Sequence, residues 1–143
     1  MTSKLIIAES EKDSNMFYAT GMLVPDDFVY LESGNKKMIY IDDLEFNRAE
    51  KEAEVDKVIN YSKYGSSVDR DSFGDILINI LKDNEIKKVQ IPGNFKMKYA
   101  KVLLDNKIEI ETIDPLFKKR EFKNEDEIKK RSKTKLSKQD INF

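Results

Sequence analysis

The spacing of apolar residues switches between two and 3.6 along the chain, the signature of strands alternating with helices. Lys4–Ala8 (KLIIA) reads as a first strand. Charged Glu11–Asp13 follows as a turn, and then a short segment, Asn15–Met22, that ends at Gly21. In Asp27–Glu32 (DFVYLE), Phe28, Tyr30 and Glu32 take one side and Val29 and Leu31 the other. A turn at Ser33–Asn35, containing Gly34, leads into Lys37–Ile41 (KMIYI), so the two runs predict an antiparallel hairpin. Asp42 and Asp43 stand where an N-cap belongs, ahead of a helix reaching Ala53 with a narrow stripe of Phe46, Ala49 and Ala53.

Glu54–Ser62 reads as another strand, and residues 65–68 as loop. The strongest helical pattern begins near Asp71 or Ser72. Phe73, Ile76, Leu77, Ile80 and Leu81 fall at i, i+3, i+4, i+7 and i+8, and Ser72 with Asp75 resembles a capping box. Val89–Ile91 is a short strand stopped by Pro92-Gly93. Asn94 is placed to cap a helix whose Phe95, Tyr99, Val102 and Leu103 face inward. Lys107–Thr112 alternates, with Ile108 and Ile110 on one face and Glu109 and Glu111 on the other. Strand–helix–strand–helix–strand over residues 55–112 predicts parallel pairing through crossovers, while the hairpin adds antiparallel strands. The expected fold is α/β, a mixed sheet of about six strands with helices on its faces.

Asp114-Pro115 predicts a further short helix, and Asn124 with Glu127 caps a last one. That last helix has no apolar residue between Ile128 and Leu136. Residues 1–118 are therefore expected to form one domain and 119–143 a linker helix or arm.

Composition removes whole classes of chemistry. The 143 residues include no histidine and no cysteine. Imidazole-ligated metals, Ser-His relays, thiolate nucleophiles, disulfides and cysteine-bound clusters are thereby excluded. The net charge of −1 conceals a gradient: residues 118–138 hold 10 basic and 4 acidic side chains. Phe122 is the only aromatic among them, so base stacking has no support and no nucleic-acid partner is expected. The apolar run after Met1 is too short for a signal peptide or membrane span, and a cytoplasmic protein is expected.

Of the acidic pairs, Asp26-Asp27 and Asp42-Asp43 read as caps at turns and helix starts. Asp69, Asp71 and Asp75 lack the glycine and closing glutamate of a calcium loop. Ser66-Ser67 has no adjacent base, and the five glycines form no phosphate cradle. Phe17, Tyr18, Tyr30, Tyr40 and Tyr99 sit at core spacing. From the residues alone there is no catalytic, cofactor-binding or metal-binding set.

One ordered series of segments says more. NMFYATGM (Asn15–Met22), then DDFVYL, KKMIYI and the helix bearing Ala49, resembles the amino-terminal domain of the creatinase/prolidase/Xaa-Pro aminopeptidase family. Asn15, Tyr18, Thr20 and Gly21 match the family's N-x-x-Y-x-T-G-like segment, whereas Ala19 and Met22 depart from its usual leucine and aromatic. Gly21 suits a positive φ that stops a helical turn, with Phe17 and Tyr18 anchoring the turn on the sheet. Arg120, Lys123, Glu127 and Ile128 fit the family's exit into its linker helix, and Arg131, Ser132 and Lys135 depart from it.

The resemblance implies a ribonuclease H-like fold. It further implies a non-catalytic role in a metal-dependent Xaa-Pro dipeptidase or aminopeptidase, through contact in a homodimer and narrowing of the active-site entrance. The dinuclear metal centre would belong to a carboxy-terminal pita-bread domain absent from these 143 residues, so none of its ligands maps onto this sequence. The 22–26 and 63–70 loops are the expected gate or contact positions. A stand-alone binding module is the alternative. A carboxylate nuclease is a weaker one, because the acids do not fall at strand centres.

Overall fold

The computed structural model describes residues 3–64 and 73–117. Six strands form one mixed sheet: β1 (Ser3–Ala8), β2 (Phe28–Ser33), β3 (Lys36–Ile41), β4 (Lys57–Asn60), β5 (Lys88–Ile91) and β6 (Glu109–Thr112). Four helices connect them: α1 (Ser14–Thr20), α2 (Asp43–Glu52), α3 (Phe73–Asp83) and α4 (Met97–Asp105). The strand order is β4-β3-β2-β1-β5-β6. β2 is antiparallel to both β1 and β3, and the remaining neighbours are parallel. This is the mixed α/β sheet that the sequence predicts.

The two faces of the sheet are built from the two sides of each strand. Val29 and Leu31 join Leu5, Ile7, Met38 and Tyr40 beneath α3 and α4. Phe28 and Tyr30 join Ile6, Ala8, Ile39 and Ile41 against α1 and α2. The hairpin between β2 and β3 closes through Gly34, at φ 63°, and Asn35. On α3, Ile76, Leu77, Ile80 and Leu81 are all fully buried, as their spacing requires.

Helices leave part of the second face open, and the chain itself closes it. After β6, the Ile113 N–H still donates to the Ile91 carbonyl (2.9 Å), and the chain then turns back across the sheet. Leu116 and Phe117 end up buried in the second core. The Phe117 ring lies 5.4 Å from Tyr18 and 6.1 Å from Tyr30, under the Lys4 ammonium at 5.1 Å.

Four expectations need correction. The fourth strand is shorter than Glu54–Ser62, because the Asn60 carbonyl Oδ1 accepts from the Ser62 N–H (3.0 Å) and turns the chain into a 3₁₀ turn, Tyr61–Tyr64. β4 pairs with β3 rather than β5, since the connection through α3 carries the chain across to the far side of β1. Asn94 does not cap α4. It donates to Asp13 Oδ2 (2.9 Å), a Pro92–Phe95 turn intervenes, and the helix starts behind Lys96 with no side-chain cap. Pro115 follows a cis peptide bond, and no helix begins there within the described residues. The 65–68 loop, Ser72 of the capping pair, the domain boundary after residue 118 and the linker helix over 119–143 lie outside the described residues. No helix among the described residues is long and apolar enough to cross a membrane.

Candidate functional site

The segment carrying Asn15, Tyr18, Thr20 and Gly21 is α1 and its exit. The helix opens on Asp13, whose carboxylate accepts from the Met16 N–H (2.9 Å), and closes on Gly21 in the left-handed region at φ 70°. A side chain at Gly21 would be strained, and its Cβ would stand 2.8 Å from Glu54 Cδ. Thr20 is fully buried. Its hydroxyl donates to the Met16 carbonyl (2.9 Å), and its own carbonyl accepts from the Glu54 N–H (2.7 Å). Thr20 thus fastens the end of α1 to the stretch leaving α2. Tyr18 supports Phe117, which ties α1 to the chain's return across the sheet. Asn15 is half-buried on the first turn of α1. The four residues share one short helix and its exit, and Tyr18, Thr20 and Gly21 tie that helix to its surroundings.

Beyond Gly21, the 22–26 loop is held from both sides. Met22 and Val24 point into the core. Ser10, itself buried, donates from Oγ to the Met22 carbonyl (2.7 Å) and accepts there from the Val24 N–H (2.7 Å). Between them Leu23 stays 52% exposed, its carbonyl taking a hydrogen bond (2.6 Å) from the Arg48 guanidinium. Arg48 also pairs with Glu45. Leu44, one turn before Arg48 on α2, is 84% exposed. The loop therefore presents Leu23 on a framework fixed by Ser10 and Arg48, and α2 presents a second exposed leucine. Of the other expected loop, residues 63 and 64 are described: the Tyr64 hydroxyl donates to Asp83 (2.7 Å) and its carbonyl accepts from Asn79 (3.2 Å).

The strand ends next to this loop gather charge. Strands β1, β3, β4, β5 and β6 run in one direction, so their carboxyl ends lie on one side of the sheet, where open α/β sheets place ligands. Asp27, at the entry to β2, receives both contacts of the Lys96 ammonium (2.9 and 2.8 Å) and the Tyr99 hydroxyl (2.7 Å). Burial acts to raise the Asp27 pKa. The bonds from Lys96 and Tyr99, with the Lys96 and Lys98 charges, overcome it and hold the carboxyl below its ordinary value. Asp27 is therefore a satisfied acceptor from side chains rather than the backbone cap that its place in a turn suggests. Asp42 does cap, accepting from the Glu45 N–H (3.0 Å). Tyr30 on the opposite face donates to Glu32 (2.6 Å), and burial followed by that bond raises its pKa, keeping it a neutral phenol.

A group of three or more acidic side chains that could hold a metal ion does not occur among the described residues. Glu109 and Glu111 are exposed on β6. Sequence reading missed Ser10 and the bond between Asp27 and Lys96, 69 positions apart; no local pattern marks either contact.

No family model matches the sequence, and no curated protein matches it. Solved structures do. The X-Pro aminopeptidase from Thermotoga maritima is similar over 91% of this chain and 36% of its own, at 19% identity and a TM-score of 0.64. The fold is one that Xaa-Pro peptidases carry. The prolidase from Pyrococcus furiosus matches 80% of this chain at 17% identity and a TM-score of 0.55. An Xaa-Pro aminopeptidase from Streptococcus pyogenes matches 78% of either chain at 12% identity and a TM-score of 0.57. The present chain spans only 29% of the length of the Pyrococcus prolidase. The likeness to prolidases and Xaa-Pro aminopeptidases, first drawn from Asn15–Gly21 and the hairpin, thus extends to the whole arrangement of strands and helices.

Proposed function

We propose that this chain is the non-catalytic amino-terminal domain of a Xaa-Pro dipeptidase- or aminopeptidase-like metallopeptidase. The observation that carries this reading is the match of nearly the whole chain to a minor part of larger peptidases. In this reading the metal and the hydrolytic chemistry belong to a second, catalytic domain. The chain's own contribution is steric. The 22–26 loop, made rigid by Ser10 and Arg48, narrows the entrance, and Leu23 and Leu44 supply apolar contact to that domain or to a second subunit.

Contact between subunits can be tested on the chain itself. Sedimentation equilibrium is expected to give a dimer, and Leu44→Asp with Leu23→Asp is expected to give a folded monomer. A monomer before substitution, or a dimer indifferent to both substitutions, would remove these leucines from the interface. A stand-alone binding module is the second reading, favoured by the outer edge of β6, with which no strand pairs among the described residues.

A further inference from the structure

The sheet ends at β6, and among the described residues no strand pairs with its outer side. The amides of Glu109 and Ile113 donate to Lys87 and Ile91 carbonyls (both 2.9 Å) on the β5 side. By the two-residue period of a strand, the N–H groups of Ile110 and Thr112 point outward. An open edge of this kind is a template for a further strand.

What lies above and below the edge defines the strand it would accept. Above it, α4 turns Tyr99 and Leu103 to the core and sets Val102 against Gly74 of α3. α3 itself sits towards the middle of the sheet, where Asn84 bonds the Tyr40 hydroxyl (3.0 Å). At about 100° per residue, Met97 and Leu104 fall on the side of α4 opposite Val102, turned away from the sheet-facing Tyr99 and Leu103. Both are left exposed, at 78% and 60%. Ile110 lies on the same side of β6, packed against that core. On the other side of the strand, Glu109 and Glu111 form an acidic row whose only cross-strand partners on β5 are Lys88 and Gln90.

We propose that β6 is a docking edge for an extended segment of a partner polypeptide in which apolar residues alternate with lysine or arginine. The apolar side chains would lie beside Ile110, and the cationic ones beside Glu109 and Glu111. A second copy fits poorly. Antiparallel β6 against β6 sets carboxylates opposite carboxylates. β4, with Lys57 and Ile59 on one side and Val58 on the other, lacks the required alternation. The inference does not depend on the peptidase reading.

The test uses the full chain and three blocked peptides of about seven residues. One alternates Lys with Val, one has the same composition with its lysines in a block, and one alternates Glu with Val. The readout is amide hydrogen exchange at Ile110 and Thr112. The alternating Lys/Val peptide is expected to slow both amides and the other two to leave them unchanged. Glu109→Lys with Glu111→Lys should weaken binding at least roughly tenfold, as two opposite-charge pairs become like-charge pairs. The proposal fails if no peptide slows these amides, or if the block or Glu/Val peptide does so equally. It fails too if both amides are already slow in the free chain.

Discussion

Phe117→Ala is expected to destabilise the chain by about 3 kcal/mol, the lower part of the range for losing a buried aromatic ring. Phe117 is the last described residue, yet it is buried, and three groups depend on it: Tyr18 of α1, Tyr30 of β2 and the Lys4 ammonium of β1. Removing the ring leaves a void between two tyrosines and frees the return strap, so that Ile113 and Leu116 lose cover for the second core. For a domain of this size the midpoint of thermal unfolding should fall by on the order of 10 °C. A fall of less than about 2 °C would mean that the strap lies on the sheet without stabilising it.

Ser10→Ala is expected to cost about 2–3 kcal/mol, a large effect for the loss of one oxygen. That oxygen serves two buried backbone groups, the Val24 N–H and the Met22 carbonyl, both at 2.7 Å. Alanine would leave the Val24 N–H without a side-chain partner inside the core and the Met22 carbonyl with only the longer bond from the Thr20 hydroxyl (3.4 Å), and an unsatisfied buried group costs about 1–3 kcal/mol. The change should also loosen Leu23, because Met22 and Val24 on either side lose their tether. Urea unfolding measures the first effect and exchange of the Val24 amide the second. A loss below about 0.5 kcal/mol with an unchanged Val24 amide would show that the Ser10 hydroxyl does not hold the loop.

What the sequence disclosed follows from locality. The alternation of Phe28–Glu32 reports both faces of a central strand at once, because the sheet buries one side under α1 and α2 and the other under α3 and α4. The stripe on α3 and the Asp42 cap are likewise settled within one or two helical turns. Gly21 could be read because a left-handed helix end demands little beyond glycine.

The remainder depends on partners distant in sequence. Asn94 looks like a helix cap in its own neighbourhood. It is diverted by Asp13, 81 positions away, which becomes visible only once β1 and β5 lie side by side. Asp27 looks like a turn residue until Lys96 and Tyr99 arrive from α4. The position of β4 beside β3 rather than β5 is also a global choice, made by how far α3 carries the chain across the sheet. Of the candidate site, the Asn15–Gly21 segment and the 22–26 loop could be marked out from sequence. The serine and arginine that hold the loop could not.

The claim beneath all of this is that the chain contributes shape and contact to a peptidase while making and breaking no bond itself. The most direct measurement is hydrolysis of an Ala-Pro dipeptide by the purified chain with added manganese or cobalt. The expected result is release of proline no faster than from peptide and metal alone. Turnover proportional to the amount of chain, retained after repurification, would contradict it.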